Sequence, residues 1–163
     1  MPTSNHVTAT DRTARRLAVG LALALLVTGF PASGWAAPKT IAGSARVSDA
    51  DVVVVRGARL RLDGIVPPKE GASCGDTDCR TTAESILEGL VGDSDLTCAV
   101  TEKIGHGYYM AVCDNGAGTA DLGFAMIEAG WAQAMESASE DYVAAEARAR
   151  EAGLGMWAFM VNE

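Results

Sequence analysis

"DVVVVRGARLRLDGIVPPKE", residues 51–70, reads as a β-hairpin with an abrupt end. Asp51 to Arg56 is a short β-branched run of the kind that fills a buried strand. Gly57-Ala58 fits a two-residue turn with glycine leading, so segments 51–56 and 59–65 are expected to pair antiparallel. In the second segment Arg59, Arg61 and Asp63 alternate with Leu60 and Leu62, the period of a half-buried strand. Pro67 and Pro68 then stop the ladder, because neither donates a backbone N–H. Lys69 and Glu70 follow, and the chemical question is whether this strand end is an active site or what is left of one.

Working outward, Ile41 to Val47 is an earlier strand, and 69–79 is a loop, pinned if Cys74 bonds Cys79. In "CRTTAESILEGLVG" Ala83, Ile86, Leu87 and Leu90 fall at i, i+3, i+4 and i+7, an amphipathic helix ended by Gly92. A second hairpin follows, with Leu96, Cys98 and Val100 sharing a face of one strand and Tyr109, Ala111 and Cys113 sharing a face of the next. If Gly105-His106 is its turn, with Gly105 at positive φ, residues whose numbers sum to 211 oppose each other. Cys98 and Cys113 are such a pair, within disulfide reach, and a slip of one residue would part them. "TADLGFAMIEAGWA" places Leu122, Met126 and Ala129 on one helical face with Ile127 beside them. "SASEDYVAAEARAREAGLG" opens with Ser137 and Glu140 at capping-box spacing and closes at Gly153. The tail "GMWAFM" is free to fold back onto the core. Five strands, a helix before the fourth and two helices after the fifth fit a mainly β plus α fold, a five-stranded OB-type barrel with three helices.

The first 36 residues differ from the rest. Arg12, Arg15 and Arg16 precede the apolar run Leu17 to Phe30, and "PASGWAAP" follows, the three regions of a secretory signal peptide. The run of 14 residues is shorter than the roughly 20 that span a bilayer. Cleavage after Ala36 leaves 37–163 as the exported domain, periplasmic or secreted; without cleavage the segment is a membrane anchor. Arg15-Arg16 also fits twin-arginine export. Residues 1–36 carry Arg12, Arg15 and Arg16 against Asp11, so the chain's net −8 becomes −10 for 37–163. A domain that acidic does not attract nucleic acid through its overall field. All four cysteines, Cys74, Cys79, Cys98 and Cys113, lie in the exported part and read as two disulfides, Cys74–Cys79 and Cys98–Cys113. A zinc site wants two closely spaced pairs, whereas the intervals here are 4, 18 and 14 residues.

Several segments together resemble the staphylococcal nuclease (thermonuclease) family, over about residues 41–158. "VSDADVVVV" is similar to the family's V-x-D-G-D-T-(apolar) strand, and "LRLDGIVPPKE" resembles (I/F)-R-L-x-G-I-D-x-P-E. "CAVTEKIGHGYYMAVC" resembles a hairpin that usually carries D-R-Y-G-R, and "MIEAGWAQA" resembles L-V-x-x-G-x-A. The resemblance implies an OB barrel with three helices and calcium-dependent hydrolysis of DNA and RNA. Two arginines would stabilise phosphate charge, a glutamate would activate water, and Ca²⁺ held by two aspartates would act as Lewis acid.

Carried over residue by residue, that machinery is incomplete. Arg61 matches the first arginine and Asp51 the first aspartate. The second aspartate falls on Val66, the glutamate on Lys69 and the second arginine on His106, while the usual threonine after Asp51 is Val52. The family's base-stacking tyrosine corresponds to Ile104, and Lys103 alone makes no basic patch. Ca²⁺ takes about six to eight oxygen ligands, so a lost carboxylate and a nearby ammonium both weaken its site. A one-residue bulge at Pro67-Pro68 would bring Glu70 inward, and His106 would then serve as cation or acid. Otherwise Glu70 is a loop carboxylate, His106 a turn residue and Arg61 a barrel arginine paired with Asp51, Asp63 or Glu102. Trp131, Trp157, Phe124 and Phe159 are expected to pack the helices, and one of Tyr108 and Tyr109 to face the core. The sequence therefore leads to an exported nuclease-like module, catalytically impaired and without a cofactor, that binds a protein or other envelope ligand as a monomer. The alternative is a weak or altered calcium-dependent phosphodiesterase using Arg61, Asp51, Glu70 and His106.

Overall fold

The computed structural model describes residues 39–160; the expected signal peptide, 1–36, lies outside them. In chain order the strands and helices are β1 (Thr40–Asp49), β2 (Val52–Val55), β3 (Ala58–Leu62), β4 (Ile65–Val66), β5 (Ser73–Cys74), β6 (Thr77–Asp78) and α1 (Cys79–Val91). There follow β7 (Asp95–Gly105), β8 (Tyr108–Asp114), α2 (Leu122–Glu128), β9 (Gln133–Ala134), α3 (Glu140–Glu151) and α4 (Trp157–Met160). Strands β1-β2-β3-β8-β7 close a barrel, with β7 paired back to β1. β3 and β8 run parallel while the other barrel pairs are antiparallel. This is the mixed α and β, OB-type barrel expected from the order of elements, with a short fourth helix added at the end.

The barrel interior is built from alternate strand positions, Val53, Val55, Leu60, Leu62, Leu96 and Ala111 among them, all buried. α1 adds Ala83, Leu87 and Val91, with Ile86 and Leu90 partly covered, and α2 adds Leu122, Met126 and Ile127. A second cluster joins Met156 and Trp157 to the Cys74–Cys79 disulfide and Ala149, so the tail does fold back, but onto the stapled loop. Phe124 and Trp131 pack against the main core as expected, whereas Phe159 is exposed. Tyr109 packs against the core beneath Lys39, and Tyr108 lies beneath Arg61.

Both hairpins turn elsewhere than expected. In the first, Val55 faces Ala58, which leaves Arg56 and Gly57 as the turn, at φ of 50° and 80°. Positive φ at both central residues is the type I′ turn that matches strand twist. Against the expected Gly57-Ala58 turn the register moves by two residues, which preserves every face, and Arg61 opposes Val52. In the second hairpin Cys98 opposes Cys113 and the two are bonded, as the sum of 211 requires. Two bulges on β7, between Val100 and Glu102 and between Lys103 and Gly105, then shift the pairing, and Gly105 opposes Tyr108. The turn is therefore His106-Gly107, and Gly107 rather than Gly105 takes the positive φ.

Two further boundaries move. β3 ends at Leu62 and not at Ile65, because Asp63 and Gly64 turn the chain, with the Asp63 carboxylate accepting from the Gly64 N–H at 2.8 Å. A Cβ on Gly64 would crowd the Tyr142 ring, so the close approach as well as the φ of 79° demands glycine. Ile65 and Val66 pair instead with Ala134 and Gln133. α3 begins after Ser139, which makes no side-chain cap, so Ser137 is not the cap and the expected capping box is not formed.

Candidate functional site

The chemistry-bearing residues gather at one end of the barrel, where β1 turns into β2, β3 ends, and α1 begins. A bulge in β1 between Val47 and Asp49 changes the side-chain alternation. Asp51 precedes β2, and its carbonyl accepts from the Leu62 N–H at 2.8 Å, which sets it beside Arg61 of β3. Arg61 Nε stands 3.1 Å from Asp51 Oδ2, with the Asp51 side chain 3 % exposed and that of Arg61 41 %. The Nε–H is not aligned on that oxygen, so the contact is an ion pair without a hydrogen bond. Of the carboxylates weighed as partners for Arg61, it is Asp51 that meets it.

The residue that organises this end is Arg80, in the first turn of α1. Its Nε and Nη2 donate to the two oxygens of Asp49 at 2.8 and 2.7 Å, and Nη1 donates to the Pro68 carbonyl at 3.2 Å. Nη2 also lies 3.9 Å from Asp51 Oδ1, a buried oxygen with no hydrogen-bond partner. The hydrogen bonds from Arg80 hold the Asp49 carboxyl below the usual carboxylate range, against a partial desolvation cost. Asp51 moves the opposite way: burial pushes its carboxyl up, the Arg61 charge opposes this, and the neighbouring Asp49 charge reinforces it.

The other expected site residues do not converge on this pair. Val66, Lys69, Glu70 and His106 are all exposed, the last in the turn of the second hairpin. Pro68 is buried, its carbonyl taken by Arg80, so the Pro67-Pro68 step leaves Glu70 on the surface. The hydrogen bonds to Asp49 raise the Arg80 guanidinium pKa most, against a desolvation cost, and the charges of Asp49, Asp51 and, least, Glu70 add to the rise.

Beside Asp51 and Arg61 opens a cleft of about 330 Å³. Its walls are largely apolar, from Ile65, Val66, Pro67, Ile104, Met110 and Met135, with Glu102 alongside. Val66 and Ile104 are 43 % and 39 % exposed, so the cleft opens between apolar side chains. A site that presents a phosphate to water would instead surround it with cations and carboxylates.

A calcium ion does not fit the donor set. Val66 supplies no side-chain oxygen, and the oxygens of Asp49, Asp51 and Pro68 already face a guanidinium. Among the described residues no group of three or more histidine, cysteine, aspartate or glutamate side chains is placed to hold a metal.

Sequence reasoning singled out neither Arg80 nor Asp49, although a signal for Arg80 was present. It is the one basic residue in α1, at the helix end where the dipole disfavours a cation. An arginine kept there needs a carboxylate partner. The two disulfides indicate an oxidising compartment. Among the described residues no helix is long and apolar enough to cross a membrane. No protein-family model matches the chain, and no curated protein matches it.

Proposed function

We propose that the chain is an exported module, similar to staphylococcal nuclease in its segments, whose barrel binds a protein or other envelope ligand and does not hydrolyse phosphodiesters. One observation carries this reading. Glu70, the carboxylate nearest in sequence to the expected general base, is exposed, while Arg61, the expected phosphate partner, is neutralised by Asp51 at 3.1 Å. Among the described residues the expected base and a free cation then do not meet at one place, and removal of a single such group costs about 10²–10⁴ in rate. The apolar cleft next to this pair supplies the binding surface of the module. The acidic balance of 37–163 argues against nucleic acid as its ligand.

The alternative, a weakened calcium-dependent phosphodiesterase, draws on the survival of Arg61 and Asp51 as neighbours. A nuclease assay separates the two. The oxidised protein and Arg61→Ala, purified identically, are incubated with single-stranded DNA and RNA in Ca²⁺ or EDTA. Absence of cleavage by both supports the binding module. Cleavage that needs Ca²⁺ and disappears in Arg61→Ala overturns it.

A further inference from the structure

The arginines of the described residues fall into two groups. Arg61, Arg80, Arg148 and Arg150 each form an ion pair with a carboxylate. Arg46, Arg56 and Arg59 form none with the described residues, and all three are exposed. They also lie together. Arg46 of β1 and Arg59 of β3 both oppose Val54 of β2, one from each side, so the three side chains share the outer face of the sheet. Two strand spacings of about 4.8 Å put the two arginine Cα atoms roughly 10 Å apart. Val54 is 8 % exposed on that outer face, as expected beneath two long arginine stems. Arg56 joins them from the turn between β2 and β3, at the far end of β2 from Asp51.

Arg56 occupies that turn against its backbone preference. Among the described residues it is the one non-glycine residue at positive φ, and asparagine, aspartate or glycine fills such a position of a type I′ turn more readily. Its side chain lies back against β1, where a Cβ on Gly43 would come within 3.1 Å of the Arg56 Nε. Arg46 and Arg56 line one recess of about 300 Å³, with Val54 in its wall and Ser44 adding a hydroxyl. Asp95 stands opposite Ser44 on β7 yet pairs with none of the three arginines. Like charges held side by side repel one another, and an anion among them relieves the repulsion.

A guanidinium presents a planar fork of donors that matches the oxygens of phosphate. Several in one place favour an anion with more than one charge. The domain around them is acidic, so a long polyanion laid across this face would also meet repulsion from beyond the arginines, over a Debye length of about 8–10 Å. A compact anion seated in the recess meets the arginines first. We propose that the recess of Arg46 and Arg56, with Arg59 across Val54 from it, binds a compact phosphate group carrying two or more charges. The site is separate from the apolar cleft and does not rest on the reading of that cleft.

The test titrates the full, oxidised chain with pyrophosphate in EDTA at low salt by calorimetry, with melting temperature as a second readout. Wild type is expected to bind, to melt higher with the ligand and to lose affinity as salt rises. Arg46→Gln and Arg56→Asn are each expected to weaken binding about five- to tenfold. Asparagine takes the positive φ of this turn more readily than arginine, so Arg56→Asn keeps the hairpin and reports the binding alone. Arg148→Gln, which removes an arginine paired with Glu128, is expected to leave binding unchanged. A wild type that does not bind pyrophosphate overturns the proposal, as do Arg46→Gln and Arg56→Asn variants that bind it as tightly as wild type. Equal binding of citrate overturns the choice of phosphate, and tighter binding of single-stranded DNA than of pyrophosphate overturns the choice of a compact anion. Sedimentation with phosphatidylcholine vesicles, with and without phosphatidic acid, identifies the source of the phosphate. Co-sedimentation that needs phosphatidic acid and is lost in Arg46→Gln places it on a lipid headgroup; pyrophosphate binding without co-sedimentation makes it a free one.

Discussion

Asp49 and Asp51 stand two residues apart at the same barrel end, yet neutralising them should move stability in opposite directions. Asp49 accepts two charge-assisted hydrogen bonds from Arg80, and such bonds contribute about 1.5–3 kcal/mol each when buried. Its side chain is 36 % exposed, so solvent screening reduces the pair to about 1–1.5 kcal/mol in total. Asp49→Asn also strands a guanidinium at a helix start, which adds a few tenths of a kcal/mol or more. The expected loss at pH 7 is about 1–2 kcal/mol. For Asp51, burial makes the charged form costly, and each unit by which its pKa is raised represents about 1.4 kcal/mol. Asp51→Asn keeps the shape and removes that cost, while the Arg61 side chain is 41 % exposed overall although its Nε is buried, so it loses only an unaligned contact. The expected change is neutral to about 1 kcal/mol stabilising at pH 7.

The pH dependence gives the sign a second check. Asp49 has a lowered pKa, so its contribution is full above the ordinary carboxylate range and is lost as pH falls through its folded value. Wild type and Asp49→Asn should converge in acid. Asp51 has a raised pKa, so its contribution is present below the ordinary range and is lost as pH rises through its folded value. The advantage of Asp51→Asn should be absent in acid and open as pH rises. Urea unfolding followed by tryptophan fluorescence, from about pH 3 to 7, measures both. If Asp51→Asn loses more stability at pH 7 than Asp49→Asn, the account of this site is refuted.

The disulfides should differ with the length of chain they close: replacing Cys98 and Cys113 by alanine is expected to cost about 3 kcal/mol, and replacing Cys74 and Cys79 about 2. Urea midpoints in the reverse order would show that packing of the Cys74–Cys79 bond against Met156 and Trp157 outweighs loop closure. Tyr142→Phe removes a 2.5 Å hydrogen bond to Asp121, whose other oxygen caps α2, and is expected to cost about 1.5–2 kcal/mol in thermal unfolding. Burial and that carboxylate push the Tyr142 phenol well above its ordinary value, so in alkaline absorbance titration it should ionise only as the protein unfolds. Ionisation with the fold intact would contradict its placement.

Local patterns in the chain were enough for the five barrel strands, the three longer helices and their order, but not for the short strands β4, β5, β6 and β9 or for α4. The valine run 52–55, the alternation through Leu60 and Leu62, and the i, i+3, i+4 spacing of α1 are properties of neighbouring residues, and each element formed where they lie. The Cys98–Cys113 bond was legible too, because two sulfurs on one face of a hairpin constrain its register at a distance from the turn. The turns themselves were not. Bulges on β7 moved the second turn to His106-Gly107, and a type I′ geometry placed the first on Arg56-Gly57. Barrel curvature and strand twist decide such details, and neither is written in a short window. The character of the site lay furthest from the sequence. Arg80 and Asp49 are 31 positions apart, and they meet because the barrel closes under α1 while a bulge in β1 and a stapled loop bring them to one end. The sequence alone determined which residues were available, including the valine and lysine at Val66 and Lys69. Tertiary structure decided which charges meet, because an ion pair depends on the distance across the fold and on how much water is excluded from it.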